Sequence, residues 1–192
     1  MGLGTLAVRG TVGPLFVGHG TQKLFGWFGG HGLEATSGAF ESMGLRPGKR
    51  HAIAAGVAEA AGGALLALGA FTPVAAGLIT GTMVTAVRKV HASNGPWVTS
   101  GGWEYNAVII AAMAAIAENG PGSPSVDGAL FPRLKGPVWT ALAIGAGVAG
   151  SYLATSPPIN QPAPAPAEGQ GSAGDVASPN GDHAPVPART QA

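Results

Sequence analysis

The stretch AIAAGVAEA-AGGALLALGA-FTPVAAGLIT-GTMVTAV, residues 52–87, carries one formal charge in 36 positions, and that charge is Glu59. A bilayer core about 30 Å thick takes roughly 20 apolar residues per spanning helix. The stretch holds nearly two such spans. It divides at Phe71-Thr72-Pro73, because proline is favoured at a helix start and disfavoured inside one. A soluble domain would show polar faces here at helical or strand period, and none is present. The sequence therefore predicts an integral membrane protein with a helical hairpin at its centre. The one carboxylate in that hairpin is costly to place in lipid and is the first functional candidate.

The rest of the composition agrees. Of 192 residues, ten are Lys or Arg and nine are Asp or Glu, with a formal net charge of +1, so nucleic acid meets no electrostatic footprint and is not expected as a partner. The 33 glycines suit helices that approach closely in lipid. The absence of cysteine excludes disulfides, thiol catalysis and iron–sulfur ligation by this chain. Arg9 interrupts the first apolar region, which argues against a cleaved signal peptide.

Five spans are predicted, at about 6–28, 52–70, 74–90, 103–118 and 137–155. The first is the least apolar and the fourth is short. Trp27, Trp97, Trp103, Trp139 and Tyr152 all fall near predicted ends, where amphipathic rings prefer to sit. Gly77 and Gly81 form a GxxxG pattern, a candidate helix contact. From Ser156 the chain turns to alternating Pro and Ala, then to Gly, Ser, Asn and Asp, a composition expected to be disordered. The fold class is thus all-α, a polytopic membrane helix bundle. Its expected divisions are a four-helix domain over 1–130, an additional transmembrane helix over 131–155 and a disordered tail over 156–192. The loops between spans 1 and 2 and spans 3 and 4 share a side and hold Arg46, Lys49, Arg50, Arg88 and Lys89. The other side holds Arg9, Arg133 and Lys135, so in this multi-pass plasma-membrane protein the positive-inside rule leans towards cytoplasmic loops 1–2 and 3–4 and leaves the opposite orientation open.

Helical rise gives the depths of the polar residues. Measured from the face carrying those two loops, Lys23 lies roughly 7 Å deep, Glu59 roughly 11 Å and His19 about 13 Å. His19, Gln22 and Lys23 share one helical face by their i, i+3, i+4 spacing. His91 ends the third span on the same side, and Glu104 and Tyr105 begin the fourth there. These seven residues are the candidate ligand-binding cluster. An unpaired intramembrane charge is costly, so Glu59 is expected within hydrogen-bonding reach of Lys23 or His19. His19, His31 and His91 fall on one side, but no spacing matches a metal site and no metal is expected.

These residues resemble the DoxX family of small bacterial integral membrane proteins. The resemblance is carried by Gly18-His19-Gly20-Thr21-Gln22-Lys23-Leu24-Phe25-Gly26 with Phe28-Gly29-Gly30 and Gly32. It continues in Ala58-Glu59-Ala60-Ala61-Gly62-Gly63, similar to the family's Ala-Glu-x-x-Gly-Gly, and in Gly101-Gly102-Trp103-Glu104-Tyr105. Gly120-Pro121-Gly122, Ser125 and Asp127 complete it, over about residues 6–130. It implies a four-helix membrane domain in which His19, Gln22, Lys23, Glu59, Glu104 and Tyr105 are shared polar positions. Some relatives are linked to thiosulfate:quinone oxidoreduction. Others are linked to a membrane complex with superoxide dismutase and a thiosulfate sulfurtransferase. The first functional expectation is therefore a membrane subunit of a redox complex, partnered by soluble redox enzymes of those kinds. It would bind a quinone or small oxyanion at the cluster and hold no covalent cofactor. A non-enzymatic anchor or scaffold is the second. A small-solute carrier ranks last, because no inverted repeat is visible.

Overall fold

In the computed structural model of the chain, residues 2–156 are described, and among them no strand is present. The expected tail, from residue 157 onward, lies outside the described residues. Helix α1 is Leu3–Phe25, α2 is Gly32–Ser42, α3 is Gly48–Leu68 and α4 is Thr72–Ala86. Helix α5 is Glu104–Asn119, α6 is the short Val126–Leu130 and α7 is Pro137–Thr155. Helices α1, α3, α4, α5 and α7 occupy the places of the five predicted spans. Helix α2 is an addition, because the sequence pattern predicts no element between the first two spans.

Two helices, α3 and α7, are each long and apolar enough to cross a membrane. The other three fall short for separate reasons. Helix α1 carries Arg9 and Lys23. Helix α4 has 15 α-helical residues before it widens into a π-helical turn at Val87–His91. Helix α5 has 16. The outer faces nevertheless stay apolar, with Leu15, Val57, Leu68, Val74, Val108, Leu142 and Leu153 all exposed. A bundle bathed in water would place polar side chains there, so these faces fit lipid.

Packing follows the small residues. Helix α1 lies along α3, with Gly13 against Ala67 and Gly20 against Gly56 and Ala60; a Cβ on Gly20 would lie 2.5 Å from the Ala60 nitrogen. Helix α4 lies against α3, α5 and α7. The Gly77/Gly81 pair meets Ala143 and Gly147 of α7, backbone to backbone, which is the use of the GxxxG pattern. The apolar core gathers Phe16, Leu66, Ile79, Met113 and Ile116.

The helices leave two ends. One, here the loop face, carries α2 and the segment 92–103 and is reached by the end of α7. The other, the turn face, carries the α3–α4 turn, the start of α1 and residues 120–136. Depth along the predicted spans places the buried polar groups at the loop face alone. The structure corrects this, because a second buried polar knot lies at the turn face. Arg9, 3% exposed, donates to the carbonyls of Leu66, Ala67, Pro121 and Pro124. Two of these carbonyls end α3, where the helix dipole favours a cation. Asp127, 2% exposed, accepts from the backbone N–H groups of Phe71 and Thr72 and from Thr72 Oγ1, and so caps the start of α4.

Candidate functional site

At the loop face α1 presents His19, Gln22 and Lys23 on one side, as their spacing requires. His19 Nδ1 lies 3.2 Å from Gln22 Oε1, and Phe16 meets the His19 ring edge-on. Gln22 Nε2 donates to Phe28 O at 3.2 Å, tying the turn after α1 back to the helix. Lys23 Nζ donates to Glu59 Oε2 at 2.6 Å, the one ion pair among the described residues. Glu59 takes Lys23 and not His19 as its partner. The glycine contacts of α1 with α3 bring the two backbones close enough for this short reach.

The remaining predicted residues divide. His91 Nδ1 lies 2.7 Å from Gly101 O, and Glu104 Oε1 accepts from the Val98 N–H at 2.7 Å. Both side chains shape the segment 92–103, whose backbone also closes through Trp103 N–H to Gly95 O and Gly102 N–H to Trp97 O. Tyr105 is exposed.

A cleft of about 790 Å³ runs between α3 and α7 across α4. His19, Lys23, Glu59, His91 and Tyr105 line it, whereas Gln22 and Glu104 do not. His51, Lys89 and Asn106 also line it and were not among the predicted site residues. By chain position His51, Lys89, His91, Tyr105 and Asn106 sit near the loop face, His19 and Lys23 in that half of α1, and Glu59 at the middle of α3. Towards the turn face the walls are Val74 and Leu78 of α4 and Trp139 and Leu142 of α7, while Ala54, Ala55 and Ala58 of α3 line the cleft between His51 and Glu59. The cleft is therefore an apolar trough with a polar, predominantly basic head.

Arg88 stands apart from this head. Its guanidinium lies 3.6 Å from the centre of the Tyr152 ring and donates to Ser151 Oγ and Thr155 Oγ1. Thr85 Oγ1 adds a 2.8 Å contact with Ser151 Oγ. These contacts fasten the end of α7 to α4. The π-helical turn that contains Arg88 places Lys89 and His91 in the cleft wall and Arg88 on α7.

Residues 4–92 match the family model described as DoxX. No curated protein and no solved structure matches the chain. The matched region holds α1 through α4, the Lys23–Glu59 pair and the π-helical turn, and it stops short of α5 and α7. That match and the lipid-suited outer faces support a membrane protein with a DoxX family region over residues 4–92.

Proposed function

We propose that this protein is a multi-pass subunit of a plasma-membrane redox complex and that its cleft takes a quinone with an apolar tail. The observation that carries the reading is the shape and polarity of the cleft, an apolar trough ending in His19, Lys23, Glu59 and Tyr105. Small-molecule sites commonly measure about 300–1,000 Å³, mostly apolar with a few convergent polar groups. A quinone suits both parts, with a tail for the trough and two carbonyl acceptors for the head. When bound, the quinone supplies two-electron redox chemistry. The chain's own residues bind and orient it: Lys23 and Tyr105 offer donors, His19 offers a donor or an acceptor, and Glu59 holds Lys23 in place. With no cysteine of its own, the chain depends on a partner for thiol or iron–sulfur chemistry. Soluble enzymes of the superoxide dismutase or sulfurtransferase kind, implied by the family resemblance, fill that role. Arg46, Lys49 and Arg50 are exposed at the loop face, which supports a cytoplasmic placement of that face and of the partners.

The test is quinone-linked electron transfer in protein purified from its native membrane, with and without co-purifying proteins. Activity is expected with the partners and absent without them. Failure of the purified protein to bind any quinone analogue overturns the quinone reading. A second reading, a non-enzymatic scaffold, is favoured by one observation: the Lys23–Glu59 pair is satisfied within the chain. Under it, loss of the pair would lower complex assembly while the complex's quinone-linked turnover stayed intact.

A further inference from the structure

Among the buried polar side chains, most have strong partners. Arg9 has four carbonyls, Asp127 has three donors and Thr21 has two carbonyls. Two side chains do not. Thr80 Oγ1 has no partner among the described residues, but Thr80 packs on Gly147 at the α4–α7 contact and does not line the cleft. Asn106 does line the cleft, and it is 4% exposed. Its Nδ2 donates only to Met83 Sδ, at 3.4 Å, and a thioether is a weak acceptor. Its Oδ1 accepts no hydrogen bond from the described residues. Thr80 Oγ1 is the one fully enclosed polar side-chain atom without a partner among the described residues, so the Asn106 oxygen is not sealed away and its unmet hydrogen bonds are open to whatever fills the cleft it lines.

We infer that Asn106 is a ligand-contacting residue of the cleft, completing its hydrogen bonds with the head group of the bound molecule. The inference rests on the quinone reading and sharpens it. Lys23 can only donate and ionised Glu59 can only accept, whereas a carboxamide does both. Asn106 can therefore give a hydrogen bond to a quinone carbonyl and take one from a quinol hydroxyl, and it suits the head group in either redox form. The Glu59 carboxylate, which also lines the cleft, supplies the second acceptor for the quinol.

The experiment titrates a short-tailed benzoquinone, oxidised and reduced, into detergent-purified full-length wild type, Asn106→Leu and Asn106→Ala. Infrared spectra record the carbonyl stretch of the bound quinone. The expected result is binding of both forms by wild type, with the quinone carbonyl band shifted down from its free position. Both variants should bind each form about tenfold more weakly, the scale of one hydrogen bond, and the band should move back towards the free value. Wild type that binds neither form overturns the quinone reading itself. Wild type that binds with an unshifted carbonyl band overturns the Asn106 inference and leaves the cleft reading standing, and that measurement does not depend on the variants folding. Variants that melt like wild type and bind both forms equally well also overturn it.

Discussion

Lys23 Nζ lies 2.6 Å from Glu59 Oε2, and the pair is unequally buried, with side-chain exposures of 27% and 8%. Such a pair contributes little net stability over an apolar replacement, yet removing one member leaves a charge stranded. Lys23→Ala should therefore destabilise the bundle by about 3–5 kcal/mol, because the more buried Glu59 loses its partner. The double variant Lys23→Met, Glu59→Leu should recover most of that loss. Thermal melts of the two variants in one detergent measure this, and a double variant no more stable than Lys23→Ala would contradict it.

Arg9 should prove at least as sensitive as Lys23. Four carbonyls from α3 and from residues 121–124 converge on its guanidinium. Arg9→Met should cost several kcal/mol, at the upper end of what breaking a buried charge network costs. Arg9→Lys should rescue little of it, since an ammonium group lacks the planar fork that spans separate acceptors. The readout is the yield of monodisperse protein after detergent extraction.

The α4–α7 contact can be tested by cross-linking. The chain has no cysteine, so an introduced pair is unambiguous. Gly81→Cys with Gly147→Cys should form an intramolecular disulfide under mild oxidation, since these backbones touch. Gly77→Leu should abolish that cross-link by forcing α7 away from Ala143. Persistence of the cross-link in Gly77→Leu would mean that α7 docks in another way.

Glu104 should matter to the segment 92–103 and not to ligand affinity. Its carboxylate caps the Val98 N–H and lies outside the cleft. Glu104→Gln should hasten proteolysis between Ser93 and Gly102 and leave quinone-analogue affinity within about twofold, because a loop hydrogen bond that shares no partner with a site rarely couples to it.

A chain ending at Ser156 should still insert at near-normal levels. The segment that follows holds little apolar side-chain mass. Quantifying the protein in isolated membranes checks this, and a marked loss would assign the tail a folding role.

Much of the fold was legible because lipid demands long apolar stretches, and the interruptions at Phe71-Thr72-Pro73 and after Arg88 mark where they end. The Lys23–Glu59 contact was legible because matched depth on neighbouring helices leaves an intramembrane carboxylate few partners. Other features lay beyond that logic. Asp127 caps α4 from more than fifty positions downstream, a pairing that no local spacing announces. Glu104 and His91 share the depth of the cluster yet bend towards the 92–103 backbone, because depth fixes height along the bundle and says nothing of direction around it. Asn106 stands in the first turn of α5 like any polar residue at a helix start, and only its place in the cleft wall sets it apart.

The π-helical turn at Val87–His91 gives the protein an unusual point of leverage. Each residue of an α-helix turns the chain by about 100°. The wide turn takes up one extra residue, so deleting one residue from it would restore ordinary winding and leave the helix before and after it facing as it does now. Only the local widening would be lost, and with it the arrangement in which Arg88 meets Tyr152 while Lys89 and His91 line the cleft. The bundle beneath would keep its glycine contacts unaltered. A single deleted codon would thus rearrange the charged mouth of this protein without moving the scaffold that carries it.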